Sequence, residues 1–201
     1  MKLFFQKKRI VLTWAFAALL AFCVLFSASR WEDVFLVSDI LFLVGIFLVA
    51  IATVGRLWCS LYISGYKSAS LVTTGPYSMC RNPLYFFSLL GAVGVGCASE
   101  AFTIAGIILV AFALYYPLVI AAEESKLRQR HGQAFASYFA DTPRFLPSFA
   151  RLREPEEYTV KPLIFRKRLL DSLCFVWLVG ALEIVESLHE YHLIPVLFRV
   201  F

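Results

Sequence analysis

Two adjacent carboxylates, Glu123 and Glu124, stand where an apolar run ends, directly after Ile120-Ala121-Ala122. Cations would suit that place better, because the C-terminal end of a helix is the negative end of its dipole. Glu124 has Arg128 four residues on and could pair with it on a solvated helix face. Glu123 points about 100° away, and Leu127 occupies its own four-residue spacing, so no such partner serves it. Upstream, the stretch GPYSMCRNPLYFF, residues 75–87, sets Tyr77, Arg81, Asn82 and Tyr85 at the doorstep of another apolar run. Asn is a favoured N-cap and Pro suits the first helical position, so Asn82-Pro83 starts a helix. Its N-terminal N–H groups and positive dipole end suit a carboxylate or a phosphate. Taken alone, that stretch is also met by Arg81 as a membrane anchor within an interfacial belt of tyrosines. If the two apolar runs form a hairpin, the end of the second returns beside the start of the first. An arginine, two carboxylates and aromatics then share one pocket. Such a pocket takes a zwitterion, with its ammonium on Glu and its carboxylate on Arg or on helix N–H groups.

The elements that must position these residues are membrane helices. Of the 201 residues, 60% are hydrophobic and 16% charged, against about 25% charged in an ordinary soluble domain. A span needs about 20 apolar residues. Residues 10–28, 34–58, 83–98, 101–121 and 169–188 meet or approach that length, which predicts an all-α polytopic membrane bundle of about five transmembrane helices. Between the third and fourth lies only Ser99-Glu100, so 83–121 reads as a tight helical hairpin. Gly91, Gly94, Gly96 and Gly106 would let its backbones approach closely. Lys2, Lys7, Lys8 and Arg9 crowd the amino terminus, and residues 122–168 carry ten Lys or Arg. The amino terminus, the 59–82 link and the 122–168 stretch are therefore expected on the cytoplasmic side, the carboxyl end on the opposite side, and the pocket on the cytoplasmic face. The net charge of +5 is then accounted for by this rule and by contact with anionic lipid. A nucleic-acid binder would need a basic soluble module, and the chain has none. The five cysteines are scattered singly and read as small buried hydrophobes. Glu186, His189, Glu190 and His192 crowd EIVESLHEYH, but one helix cannot complete a metal site, so a polar rim is expected and no metal. Asp171 is expected to pair with Arg168 or Lys167.

The blocks GPYSMCRNPLYF, EESKL and HGQAFASYFADTPRFLP, in that order around a predicted hairpin, resemble the isoprenylcysteine carboxyl methyltransferase and phospholipid methyltransferase families. The resemblance is strongest over 40–150. It implies an integral membrane methyltransferase core over 1–159 that binds S-adenosylmethionine without a Rossmann domain. Residues 160–201 would add a C-terminal transmembrane helix and an interfacial tail. By the same resemblance Tyr77, Arg81, Asn82, Pro83 and Tyr85 line the cofactor pocket, Glu123 and Glu124 hold the methionine amino end, and Leu127 shapes the adenine side. Tyr138 and Arg144 close over the substrate head group, and Glu123, Arg144 and Tyr138 form the catalytic set. The acceptor would be a lipid or lipid-like molecule of isoprenoid or phospholipid type, entering sideways from the membrane. One departure stands out: isoprenylcysteine enzymes usually carry His where this chain has Asn82, and Asn cannot titrate near neutral pH. Two alternatives remain. Some sterol reductases share an R-x-P-x-Y and hairpin pattern with an NADPH cofactor, although a dinucleotide would want more cations than Arg81 and Arg144. A non-catalytic membrane binding protein could also keep the fold.

Overall fold

Apolar runs of this length must satisfy their own backbone groups inside a hydrocarbon layer, and helices do so locally. The computed structural model describes residues 15, 18–31, 34–64, 66 and 70–201, and most of these are helical. Lys2, Lys7, Lys8, Arg9, Lys67 and the start of the first predicted span lie outside the described residues. Helix α1 runs through 18–26 and leads into strand β1, Ser27–Ser29. It is followed by α2 (Phe35–Ile63), the single turn α3 (Pro76–Met79), α4 (Pro83–Ala98) and α5 (Phe102–Asp141). The chain ends in α6 (Pro162–Ser172), α7 (Cys174–Glu190) and strand β2 (Phe198–Val200). Helices α2 and α5 are long and apolar enough to cross a membrane, and α4 is a shorter apolar helix of 16 residues.

Small residues set the spacing of the central helices. At Gly45, on α2, an added β-carbon would stand 2.7 Å from the Gly94 carbonyl oxygen; at Gly94 it would stand 2.9 Å from the Gly45 carbonyl oxygen. These backbones therefore touch, which no larger residue permits. A β-carbon at Gly96 would lie 2.7 Å from the Cα of Ala105 on α5. Gly106 faces open space, so it plays no part in the close approach expected of it. On α4, Gly91 leaves room for the Phe175 ring, which seats α7 on the core formed with Val49 and Ala52.

The predicted hairpin is present as α4 and α5 joined through Ser99–Ala101, with Glu100 at φ 57. A left-handed backbone at a residue with a β-carbon costs free energy and persists where neighbours fix it. The Ser29 hydroxyl donates to the Glu100 carbonyl at 2.7 Å, and the Ser38 hydroxyl donates to its carboxylate. The same end is closed by β1 and β2, which pair in parallel with Ser27 opposite Phe198. The Arg30 guanidinium lies over the Phe201 ring at 4.2 Å, and the Thr103 amide donates to the Phe201 carbonyl at 2.6 Å. The last residues, read from sequence as an interfacial tail, thus enter a two-stranded patch. Arg168 pairs with Asp171 at 3.0 Å, as expected. His189 Nε2 lies 2.9 Å from the Leu25 carbonyl. Among the described residues no three His, Cys, Asp or Glu gather to hold a metal ion.

Candidate functional site

The site forms where α4 begins and the apolar part of α5 ends. Pro83 is fully buried at the first turn of α4. Asn82 stands at the N-cap, yet its side chain caps nothing. The Tyr85 and Phe86 amides donate instead to the Asn82 backbone carbonyl, at 3.1 and 3.2 Å. Its amide group is thereby free to cross to α5, donating to Glu124 Oε1 at 3.2 Å and to the Arg144 carbonyl at 2.9 Å. The approach to α4 is fixed by Gly75, at φ 60 and ψ −136. That backbone suits glycine alone, and a β-carbon there would overlap the Tyr62 ring. The Gly75 amide donates to the Arg153 carbonyl at 2.8 Å.

A second glycine folds the far end of α5 over the site. Gly132, at φ 51 and ψ −121, breaks the helix, so residues 133–141 turn back towards α3. Phe135 becomes fully buried, and the Tyr138 hydroxyl donates to the Tyr77 carbonyl at 2.7 Å. The returning backbone clamps Arg81. Its Nη1 donates to the carbonyls of Phe139, at 2.6 Å, and Thr142, at 2.9 Å. Its amide donates to the Pro143 carbonyl at 2.8 Å, and the Phe139 ring lies 3.9 Å from the guanidinium carbon.

Glu124 is turned into this cluster. Arg81 Nε meets Glu124 Oε1 at 2.9 Å, with the two side chains only 8% and 12% exposed. Arg144 Nε stands 3.7 Å from Glu124 Oε2 and is 46% exposed, while its Nη2 donates to the Pro117 carbonyl at 3.2 Å. Arg128, the helical-spacing partner available in sequence, lies over the Phe139 ring instead. Glu123 accepts from the Tyr85 hydroxyl at 2.7 Å. Behind it the Tyr85 ring meets Tyr116 edge-on at 5.3 Å, and Tyr116 stacks on Phe112 at 3.6 Å. Burial raises the Tyr77 phenol well above its ordinary pKa, which keeps it neutral. Burial likewise pushes the Cys80 thiol up to about 12. Leu127 is half-buried one turn beyond Glu123. Beside the charges lies a cavity of about 320 Å³, walled chiefly by Leu89, Leu109, Phe112, Tyr116 and Phe145, with Arg144 at its edge.

The structure thus brings Arg81, Asn82, Tyr85, Glu123, Glu124 and Arg144 together. The Tyr138 hydroxyl bonds to the Tyr77 carbonyl at one side, Pro83 starts α4, and Leu127 is half-buried on α5. Sequence reasoning missed Phe139 and Tyr116, whose aromatic type alone carried no positional signal. Arg56, on α2, was not among the residues expected from sequence. Arg56 donates to the Ser88 hydroxyl on α4 and, at 3.1 Å, to the Asp171 carbonyl, and lies 5.3 Å from the Phe175 ring centre. An ionisable residue within a span usually faces the bundle interior, a signal that was there to be read.

The hairpin of apolar helices holds a carboxylate pair against Arg-Asn-Pro, and comparison gives the family. The model of the phospholipid methyltransferase family matches residues 34–134. The chain belongs to that family. It is 42% identical over 184 residues to the cobalt-zinc-cadmium resistance protein CzcN of Cupriavidus metallidurans, covering 92% of this chain and 81% of that one. It is 46% identical over 159 residues to the nickel-cobalt-cadmium resistance protein NccN of Alcaligenes xylosoxydans xylosoxydans, covering 79% and 72%. No solved structure matches the chain.

Proposed function

We propose that the chain is a multi-pass membrane enzyme that transfers a methyl group from S-adenosylmethionine to a lipid or lipid-like acceptor at the cytoplasmic interface. The observation that carries this reading is the placement of Glu123 and Glu124 against Arg81, Asn82 and Tyr85 across the α4–α5 hairpin. The donor set fits the cofactor. Its ammonium needs fixed carboxylate acceptors, and Glu124 is oriented by Arg81 and Asn82 while Glu123 is oriented by Tyr85. Its carboxylate suits the positive start of α4, and Tyr77 and Tyr85 offer aromatic faces to a cation. Leu127 is assigned to the adenine side. When bound, S-adenosylmethionine supplies an electrophilic methyl group on a sulfonium.

The protein's share is positioning and exclusion of water. Arg81 and Asn82 act through Glu124, holding its carboxylate so that little freedom is lost on binding. Glu123, Arg144 and Tyr138 are assigned to the reacting side, with the 133–147 segment as cover. Residues 1–159 form the enzymatic core, and 160–201 add a further span docked through Arg56 and Phe175. In this reading five spans put the amino terminus and the pocket in the cytoplasm beside anionic lipid, and the carboxyl end on the other side. The relatives are named for resistance to cobalt, zinc, cadmium and nickel, which sets the methylation proposed here in cells exposed to those metals. Calorimetric titration of the detergent-purified chain with S-adenosylhomocysteine and, separately, NADPH tests the reading. Saturable binding of the first alone is expected; binding of NADPH alone would overturn it.

A further inference from the structure

From Ala121 to Ala134 the far part of α5 is exposed except at four positions, Glu123, Glu124, Leu127 and His131, which are half-buried. At about 100° per residue these four fall within an arc of about 100°. They form the stripe by which this part of the helix faces the rest of the protein. The helix stays regular until Gly132, so the spacing holds through His131. His131 then stands almost in line with Glu124 and about 10 Å further along the axis, with Leu127 between them. Two of the four are the carboxylates of the site, and His131 closes the stripe at its far end.

His131 is also the odd member chemically. Its Nε2 is buried, and among the described residues no group bonds to it. Buried polar atoms are nearly always paired, and one left alone destabilises the fold. Phenylalanine or leucine would fill the same place without that cost. An unpaired nitrogen on the stripe that carries Glu123 and Glu124 therefore points to a partner that arrives with the ligand.

We propose that His131 selects the base of the cofactor, its unprotonated Nε2 accepting a hydrogen bond from the 6-amino group of adenine. The inference rests on the S-adenosylmethionine reading and adds to it a residue that tells one purine from another. An extended cofactor has its ammonium at one end and the amino edge of its base at the other. With the ammonium on Glu123 and Glu124, the base runs past Leu127 and its edge reaches His131. A neutral imidazole has one nitrogen with a proton and one with a lone pair, so Nε2 can accept while the other nitrogen keeps the proton. A 6-oxo purine would set its carbonyl against that lone pair. A site built to bond one group rejects the analogue that lacks it. His131 moves no proton and takes no part in the methyl transfer; it is a specificity residue.

The test is calorimetry on the full chain in detergent with two probes, S-adenosylhomocysteine and S-inosylhomocysteine, which carries a carbonyl in place of the 6-amine. The parent is expected to bind the adenosyl probe roughly tenfold more tightly than the inosyl probe, the strength of one hydrogen bond. His131→Phe should lose that factor for the adenosyl probe and bind both probes alike. His131→Gln, whose amide oxygen can stand in for Nε2, should bind the adenosyl probe within about threefold of the parent. Without ligand His131→Phe should unfold no lower than the parent, because it removes an unpaired buried nitrogen; a histidine with a structural role alone would give the reverse pattern. A parent that binds both probes equally, or a His131→Phe variant that keeps the parent's preference, would overturn the assignment and leave the cofactor reading intact. A folded parent that binds neither probe would overturn both.

Discussion

Replacing Glu124 by glutamine keeps the shape of the side chain and removes its charge from beneath two arginines. At 2.9 Å, and with the effective dielectric of about 20 that suits protein sites, the Arg81–Glu124 attraction is about 6 kcal/mol before desolvation. Desolvation offsets much of this, and breaking a buried pair by removing one partner costs about 3–5 kcal/mol. The Phe139 and Thr142 carbonyls and the Phe139 ring continue to hold Arg81, so the lower end of that range applies. For a chain of this length about 3 kcal/mol corresponds to a fall of roughly 10 °C in the unfolding midpoint. The assay is thermal unfolding of Glu124→Gln, Arg81→Ala and the double variant in one detergent, read as a double-mutant cycle. Residues in such contact should couple by about 1–3 kcal/mol, the double variant being less damaged than the singles added together. In the same samples S-adenosylhomocysteine should bind Glu124→Gln about 10- to 100-fold more weakly, the loss of one charge-assisted hydrogen bond. Additivity within about 0.5 kcal/mol, or unchanged cofactor affinity in Glu124→Gln, would refute the reasoning.

Gly132→Ala meets no neighbour within 4 Å, so its cost is the backbone alone at φ 51, about 1–3 kcal/mol; a lower unfolding midpoint and faster tryptic cleavage after Arg144 and Arg151 are expected, and an unchanged midpoint would show that the turn tolerates a β-carbon. Tyr85→Phe removes the 2.7 Å hydrogen bond from the Tyr85 hydroxyl to Glu123, costs about 1–2 kcal/mol and weakens S-adenosylhomocysteine binding several-fold; calorimetry decides. The Cys80 thiol, pushed up to about 12 by burial, keeps its proton in the folded chain where an unfolded thiol of pKa about 8.5 has lost it. The folded state then binds more protons, so this contribution is complete below about pH 8.5 and is lost as pH rises through 12. Maleimide at pH 8 should label Cys80 only after denaturation, and stoichiometric labelling of the native chain by mass spectrometry would contradict the assignment.

The parts of this fold that were legible in sequence are those with local chemical punctuation. Asn82-Pro83 marks the start of α4, Ser99-Glu100 is too short to be anything but a tight link, and Glu123 had no basic partner at the four-residue spacing. Together these put the carboxylate pair beside Arg81. What lay beyond reading is held by backbone or by shape. The Phe139 and Thr142 carbonyls that clamp Arg81 leave no trace in residue identity, because every residue owns a carbonyl. The return of 133–141 depends on a single torsion at Gly132, and nothing in HGQAF distinguishes a helix break from a helix that tolerates glycine. Glycine also says nothing of which neighbour it faces: Gly94 meets Gly45 across α2, while Gly106 meets nothing. The pairing of 27–29 with 198–200 joins three-residue strands from opposite ends of the chain, where no periodicity can build up.

The central claim is tested most directly by incubating membranes that contain the chain with S-adenosylmethionine tritiated on its methyl group and counting the lipid extract. The account predicts label in the extractable fraction with the parent chain, none above background with Glu123→Gln, and partial label with Tyr85→Phe. Equal labelling by the parent and Glu123→Gln, or a parent that binds the cofactor yet labels no lipid, would contradict it.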